Sequence, residues 1–222
     1  MTGVQTCALP IYPLDAAPLQ SLKRLADRYE PALVSEHLSF GAVAGVHYND
    51  LLPLPYTREC ADHLVARIGA VQDELKRPIL VENASCYLRY RVDEMDEVDF
   101  VVDVARRAGC GVLLDINNIY VNARNHGLDA HQYLARMPVD LVGEFHLAGH
   151  SVNVHDGREI LIDTHLGPPC AAVLSLYVEA VTRFPGVPTL FEWDTEVPTL
   201  EVLVAEAHRI DRVRESRDAD AR

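Results

Sequence analysis

The chain alternates short apolar runs with longer segments whose apolar residues recur at helical spacing. The apolar runs end near residues 38, 82, 115, 146, 163 and 192. Apolar strands that alternate with amphipathic helices are typical of a parallel sheet whose two faces are covered. The pattern therefore predicts an α/β fold made of strand–helix units, of which six are visible.

Each predicted strand ends in a side chain that can bind a metal ion. These side chains are His37, Glu82, Asp115, His146, Asp163 with His165, and Glu192. In a closed (β/α)8 barrel the carboxyl ends of the strands converge on one mouth, where active sites lie. Imidazole and carboxylate groups are frequent ligands of transition metals. We therefore predict a TIM (β/α)8-type barrel with a metal centre at its mouth.

The visible units also suggest how the chain is organised. Since eight units close a barrel, we expect the first two strands to be missing. Residues 1–11 lack any periodicity and are predicted to be a non-native segment, followed by a partial barrel domain over 12–214 and a charged, disordered tail over 215–222. A doubly wound open sheet would alternate in the same way, but neither GxGxxG nor GxxxxGK[ST] appears.

Two histidines stand four residues apart in the sequence GEFHLAGH, residues 143–150. Ala148 and Gly149 permit a turn between them, so His146 is expected to end a strand and His150 to lie on the following loop. Asn117 stands two residues after Asp115, and its side chain would return to the same face if the extended conformation continued. For each residue taken singly, a structural role such as a buried, hydrogen-bonded carboxylate stays open.

Composition limits the partners and the compartment. Lys and Arg number 20 against 33 Asp and Glu, and the net charge of -13 would repel nucleic acid and an anionic membrane surface. No apolar run approaches the length needed to span a bilayer. The five cysteines are scattered, without CxxC spacing, which indicates a reducing, cytoplasmic location rather than a disulfide framework.

Several ordered motifs together resemble one family. They are SEHLSF (35–40), DLLPLPYT (50–57), LVENAS (80–85), LLDINNIYVN (113–122), HLAGH (146–150), DTHLGPP (163–169) and FEWD (191–194). This set is similar to the multinuclear non-haem iron-dependent oxidative enzymes typified by methanobactin biosynthesis protein B. The resemblance implies a TIM barrel that holds two or three iron ions, in mixed Fe(II) and Fe(III) states, and uses O2 to modify cysteines of a ribosomally made precursor peptide. It also implies a small partner protein that presents the peptide.

The resemblance further implies a ligand set. The residues that match the family's metal ligands are His37, Glu82, Asp115, Asn117, His146, His150, Asp163, His165 and Glu192. We expect the catalytic role to fall on His146, Asp115 and Glu82, and expect His150 to join Asn117, Asp163 and His165 at an outer position. The family carries one more histidine upstream of Tyr12, and this chain has no counterpart.

Two other functions are compatible with these residue types. A divalent-metal-dependent hydrolase or isomerase on the same barrel would use the ion to activate water or polarise a carbonyl. A non-catalytic metal-binding or peptide-binding protein would use the same ligands without turnover.

Overall fold

The computed structural model describes residues 14–43 and 46–220. The segment predicted to be non-native, residues 1–11, lies outside the described residues, as do residues 221–222. The chain forms two compact units that meet in sequence between Leu113 and Leu114.

The first unit is built on parallel strands with helices between them. Its elements in chain order are α1 (Ala16–Tyr29), β1 (Ser35–His37), β2 (Ser39–Val43), β3 (Val46–Pro53), α2 (Arg58–Leu75), β4 (Leu80–Glu82), α3 (Glu97–Ala108) and the first residues of β5 (Gly111–Asp115). Strand β4 pairs in parallel with β1 on one side and with β5 on the other, and His37 lies opposite Glu82. The short apolar runs therefore form a parallel sheet here, as predicted.

Helices of the first unit follow from capping and apolar spacing. Thr57 precedes α2, and its hydroxyl accepts a hydrogen bond from the amide of Cys60, which satisfies one free donor of the first turn. In α3, Val98, Val101 and Val104 recur at helical spacing and are buried. Helices α2 and α3 pack together along these apolar faces.

The second unit combines two further parallel strands with a hairpin. It contains the end of β5, then α4 (Ile116–His126), α5 (Ala130–Arg136), β6 (Val142–Leu147), β7 (Ser151–His155), β8 (Arg158–Ile162), α6 (Ala171–Arg183), β9 (Thr189–Phe191) and α7 (Leu200–Asp220). Strands β6 and β9 pair in parallel, with His146 opposite Leu190. Phe145 of β6 packs edge-on against Tyr177 and Phe184, and these three buried rings anchor α6 to the sheet.

Several predicted elements are corrected. The run at 159–163 was expected to be a barrel strand, but β8 pairs only with β7, antiparallel, because the Asp156-Gly157 turn favours a hairpin. The antiparallel pair β2 and β3, which the apolar pattern does not predict, follows β1. A helix, α4, begins directly after Asp115, so the extended conformation on which the placement of Asn117 depended does not continue. Helix α7 continues to Asp220, whereas the charge pattern predicts disorder from residue 215.

Three cysteines are buried among apolar residues. Burial raises the pKa of the Cys60 and Cys86 thiols to about 12 and that of Cys110 to about 11. These thiols are therefore neutral and unreactive near pH 7. The described cysteines are all free.

One side chain joins the hairpin to α4. The Asn125 carboxamide donates to the carbonyl of Leu161 at 2.8 Å and accepts from the amide of Leu161 at 2.9 Å. Leu161 is buried, so neither backbone group has water as an alternative partner.

We predict that Asn125→Ala lowers the free energy of unfolding by about 1–3 kcal/mol, because it leaves two buried backbone groups without partners. Asn125→Asp keeps an acceptor for the Leu161 amide but sets a carboxylate oxygen against the Leu161 carbonyl, so it should also destabilise the protein. Urea denaturation of the three proteins measures both values. Equal free energies of unfolding for Asn125→Ala and the parent would show that the two hydrogen bonds of Asn125 do not stabilise the protein.

Candidate metal centre

Three strand ends of the second unit carry ligand-type side chains. Asp115 ends β5, His146 lies near the end of β6, and Glu192 follows β9 directly. The amide of Glu192 donates to the carbonyl of Leu147 at 2.9 Å, which continues the β6–β9 ladder by one residue. That pairing sets the Glu192 carboxylate 3.3 Å from Nδ1 of His146. The parallel register therefore brings these two side chains together.

His165 is the residue on which the carboxylates converge. Its Nε2 lies 3.1 Å from the Asp163 carboxylate, and its Nδ1 lies 3.4 Å from Glu192 and 3.0 Å from Asp194. The backbone of His165 has a φ of +48°, in the left-handed region that a non-glycine residue rarely occupies. Its carbonyl accepts from the amide of Asp194 at 3.1 Å, so the loop after β9 holds this conformation in place. A strained backbone at a cluster of charges is a recurrent feature of functional sites.

The charges around His165 control its protonation. Burial by itself lowers the pKa of the imidazole, but the hydrogen bond to Asp163 and the negative charges of Asp163, Asp115 and Glu192 raise it to about 10. Without a metal ion, a protonated His165 therefore supplies the positive charge that these carboxylates require. Bound metal would take over that role, in exchange for the proton.

The donor set fits a transition-metal ion. Ligand atoms of Asp115, His165 and Glu192 all lie within 4.8 Å of one another. Asp115 is fully buried, and burying a carboxylate is costly unless positive charge or hydrogen bonds compensate for it. One Asp115 oxygen accepts from the amide of Asn118 at 2.7 Å, where it also caps α4. A mixed set of imidazole and carboxylates suits iron, zinc or manganese rather than a soft thiophilic ion.

A second group of predicted ligands lies beside this one. The Asn117 side chain donates to the Asp163 carboxylate at 2.7 Å, and its oxygen lies 2.8 Å from Nδ1 of His150. The Tyr120 ring, one helical turn along α4, packs against His150 at a centroid distance of 5.3 Å. Burial lowers the pKa of His150, against the opposing effect of Asp163, so its imidazole is neutral near pH 7 and able to bind a metal.

The structure corrects how Asn117 reaches this group. The extended conformation would have placed it on the same face as Asp115, but Asn117 lies in the first turn of α4. Asp115 is the N-cap of that helix, so the chain turns immediately after β5, and the helical turn directs the Asn117 amide to Asp163. Asn118, also in this turn, donates its backbone amide to Asp115.

The remaining two predicted ligands lie in the first unit. Nε2 of His37 is 3.2 Å from the Glu82 carboxylate, and the carbonyl of Glu82 accepts from the amide of Leu38 at 2.9 Å. Glu82 is buried and His37 is partly exposed. Seven of the nine predicted ligands thus belong to the second unit and two to the first, and the assignment of all nine to metal ions stays a prediction.

Two residues near the site were not predicted as functional. Asp194 contacts His165 directly, and Tyr120 packs on His150. The signal for Asp194 was present in FEWD, where it stands two residues after Glu192. No pattern in the sequence marks Tyr120, because its role arises from the helix that was missed.

Gly149 holds the loop of His150 against the loop of His165. A Cβ atom built on Gly149 would lie 2.5 Å from the carbonyl oxygen of Gly167 and 2.7 Å from that of Leu166. Both are backbone atoms, which cannot rotate away as a side chain can. The HLAGH turn therefore requires glycine at this position so that the two backbone segments can meet.

The fold and the site together define a class of protein. Over 94% of this chain and 86% of the other, the structure is similar to a crystal structure of a D-tagatose 3-epimerase-like protein, with a TM-score of 0.52 and 13% sequence identity. The predicted TIM-barrel-type α/β fold is confirmed. Within that fold, residues at the ends of parallel strands and on the loop after β8 form a cluster of imidazole and carboxylate groups that is suited to a metal.

The family follows from sequence similarity. Residues 3–215 match the model of the RiPP precursor modification enzyme family MbnB/TglH/ChrH, and the chain belongs to that family. A UPF0276 protein of Anaeromyxobacter sp. (strain Fw109-5) is 49% identical over 197 residues, which cover 89% of this chain and 68% of the relative. A UPF0276 protein of Acaryochloris marina (strain MBIC 11017) is 47% identical over 199 residues, or 90% and 71% of the two chains. Among the described residues, no helix is long and apolar enough to cross a membrane.

We predict that Gly149→Ala lowers both metal content and thermal stability, because the added methyl group would displace the backbone that carries His150 and His165. Gly69→Ala is the matched control: Gly69 lies inside α2, and a Cβ there meets nothing within 4 Å. That change should be neutral or should stabilise by up to about 1 kcal/mol. Metal analysis and thermal unfolding of both variants test this prediction. Equal metal content and equal thermal stability of the two variants would contradict the close approach at Gly149.

The raised pKa of His165 predicts a pH dependence of the metal-free protein. Since the pKa of His165 is about 10 in the folded protein and 6.5 for an ordinary histidine, the stabilisation is complete below pH 6.5 and is lost as the pH rises towards 10. Between pH 7 and 9 the loss should be about 2–3 kcal/mol. Urea denaturation in the presence of a chelator measures it. His165→Gln should flatten this slope, and an unchanged slope in the variant would contradict the assignment.

Proposed function

We propose that this protein is an iron-dependent oxidative enzyme that uses O2 to modify cysteine residues of a ribosomally synthesised precursor peptide. The observation that carries the proposal is the cluster of Asp115, His165 and Glu192, whose ligand atoms lie within 4.8 Å of one another, in a chain of the precursor-modification family. The family supports a peptide substrate, and the donor set is compatible with iron.

The proposed centre has an inner and an outer part. The inner part consists of Asp115, His146 and Glu192. The family resemblance implies that Glu82 and His37 also belong to the ligand set. The outer part consists of Asn117, His150, Asp163 and His165, and the carboxylates of Asp115 and Glu192 also reach it, since their ligand atoms lie within 4.8 Å of that of His165. Glu192 lies 3.3 Å from His146 and 3.4 Å from His165, so its carboxylate is positioned to serve both parts. This arrangement suits two or three iron ions, with carboxylates available to bridge them.

When bound, iron would supply the coordination of the cysteine thiolate and the transfer of its electrons to O2. The chain's own residues hold the ligands and the protons. Asn117 orients His150 and Asp163 through its two amide hydrogen bonds. Asp194 contacts Nδ1 of His165. This contact favours a fixed ring orientation and makes Nε2 a stronger metal ligand.

A different chemistry could use the same donors. The structural similarity to a D-tagatose 3-epimerase-like protein concerns the fold, and a divalent ion on such a barrel can activate water or polarise a carbonyl. A protein that only binds metal or peptide is the third possibility. The experiment below separates these outcomes by metal identity, oxygen uptake and peptide mass.

The test begins with anaerobic loading of the protein with Fe(II), followed by metal analysis. We expect more than one iron per chain in the parent protein, and a lower count in Glu82→Gln and Asp163→Asn, because each change removes a charged ligand while keeping side-chain volume. His208→Ala, on the exposed face of α7, is the control and should keep the parent count. A single zinc ion that neither change affects would favour the hydrolase or isomerase.

The reaction is tested with a cysteine-containing precursor peptide and the partner protein, by following O2 uptake and peptide mass. His146→Ala should abolish the mass change, because His146 belongs to the inner part. His150→Ala should lose about one iron and retain slow turnover, since the inner ligands stay in place. The proposal is wrong if the parent protein leaves the peptide's mass unchanged under O2 and acts instead on a sugar or a phosphate ester.

A further inference from the structure

The β7–β8 hairpin projects between two of the proposed ligands. Strand β7 begins at Ser151, directly after His150, and β8 ends at Ile162, directly before Asp163. Residues 152–160 are all exposed. The hairpin thus begins and ends next to proposed metal ligands, and the rest of its length faces solvent.

Hydrogen bonding within the hairpin determines which backbone groups face outwards. Asp156 and Gly157 both have positive φ, at +48° and +75°, which is the two-residue turn with a type I′ backbone. The flanking pair His155 and Arg158 is therefore hydrogen-bonded, and pairs alternate from there. The pairs Val154–Glu159 and Val152–Leu161 consequently direct their N–H and C=O groups away from the partner strand.

The outer edge of β8 is already occupied near the site. The outward N–H and C=O of Leu161 bond to the Asn125 carboxamide, which takes the place of a neighbouring strand. Because Leu161 directs both backbone groups outwards, this contact also supports the alternation of hydrogen-bonded and non-hydrogen-bonded pairs that the turn implies. An additional strand therefore cannot pair along this edge at Leu161 without displacing α4.

The outer edge of β7 has no such partner. Within residues 14–43 and 46–220, no backbone hydrogen bond from outside the hairpin reaches Val152 or Val154. Their side chains lie on one face and are 52% and 69% exposed. Edge strands in natural proteins usually carry charges, prolines or a covering element. Strand β7 contains none of these before His155, so its edge can accept an extended chain.

We propose that the outer edge of β7 is the docking strand for an extended segment of the precursor peptide, which pairs with the backbone of Val152 and Val154. The inference rests on the proposed function for the identity of the peptide. Backbone pairing accounts for affinity in this mode, and side chains that lie over Val152 and Val154 add apolar contact. Val152 is two residues from His150, so the peptide residue that pairs with it lies about 7 Å along the strand from that ligand. Docking therefore brings the adjoining peptide residues, including the reacting cysteine, to the metal centre.

Two proline variants separate the two edges. Val154→Pro removes an outward N–H from β7, and Glu159→Pro removes the outward N–H of the residue directly opposite on β8. Neither N–H belongs to the hairpin's own ladder, and proline is tolerated on edge strands at such positions. Circular dichroism and thermal unfolding of both variants establish that the hairpin is retained.

The probe is a phage-displayed library of randomised peptides with one fixed cysteine, selected on the Fe(II)-loaded parent protein without oxygen. Selected peptides are then synthesised, labelled and measured by fluorescence anisotropy. We expect Val154→Pro to bind them about 2- to 10-fold more weakly, the effect of one lost backbone hydrogen bond, and Glu159→Pro to bind them like the parent. N-methylation along a selected peptide should weaken binding at every second residue, because alternate N–H groups of a paired strand face β7. This second measurement leaves the protein unaltered.

Three results have different meanings. If selected peptides bind the parent and change mass under O2, but both proline variants bind equally well and N-methylation shows no alternation, the docking strand is wrong while the proposed function stands. If binding depends on Val154 and alternates along the peptide, the docking strand is supported even where no oxidation follows. If the parent retains no cysteine-containing peptide, the docking inference fails, and an unchanged precursor mass in the reaction assay shows that the proposed function fails with it.

Discussion

The second unit depends on one electrostatic arrangement, in which several carboxylates face a single imidazole. Asp115 is fully buried and Asp163 and Glu192 are largely shielded, so their mutual repulsion must be balanced locally. His165 provides that balance as a proton carrier, and its positive φ shows that the backbone is held in an uncommon conformation to bring the ring there. An ion of higher charge would balance the same carboxylates. The strand register, the Gly149 contact and the α4 cap all serve to hold these groups close.

The loops around this centre are fixed by backbone contacts rather than by side-chain packing alone. The carbonyl of His165 accepts from Asp194, and Gly149 allows its loop to pass against Leu166 and Gly167. The hairpin is tied to α4 through Asn125. Together these contacts connect three loops that carry proposed ligands. A change in the backbone of one loop should therefore displace the ligands on the others. They also leave the edge of β7 open beside the site.

Much of this arrangement was predictable from sequence, and the failures have physical causes. The end of strand β5 at Asp115 was predicted correctly because its continuous apolar run is ended by a charge. The convergence of Asp115, His146 and Glu192 followed from the rule that parallel strands end on one side. Helix α4 was missed because Asn117 and Asn118 favour turns and because Asp115 was read only as a strand end, although it is also an N-cap. The run at 159–163 was misread because a two-residue turn, not apolar periodicity, decides its antiparallel pairing.

The central claim is that Asp115, His165 and Glu192 bind a metal ion. Anomalous diffraction from crystals of the Fe(II)-loaded protein, recorded on both sides of the iron absorption edge, tests it most directly. The account predicts an iron peak within bonding distance of all three side chains, with further peaks near His146 or His150. A density map in which iron is absent from these residues, or in which His165 remains bonded only to Asp163 and Asp194, would contradict it.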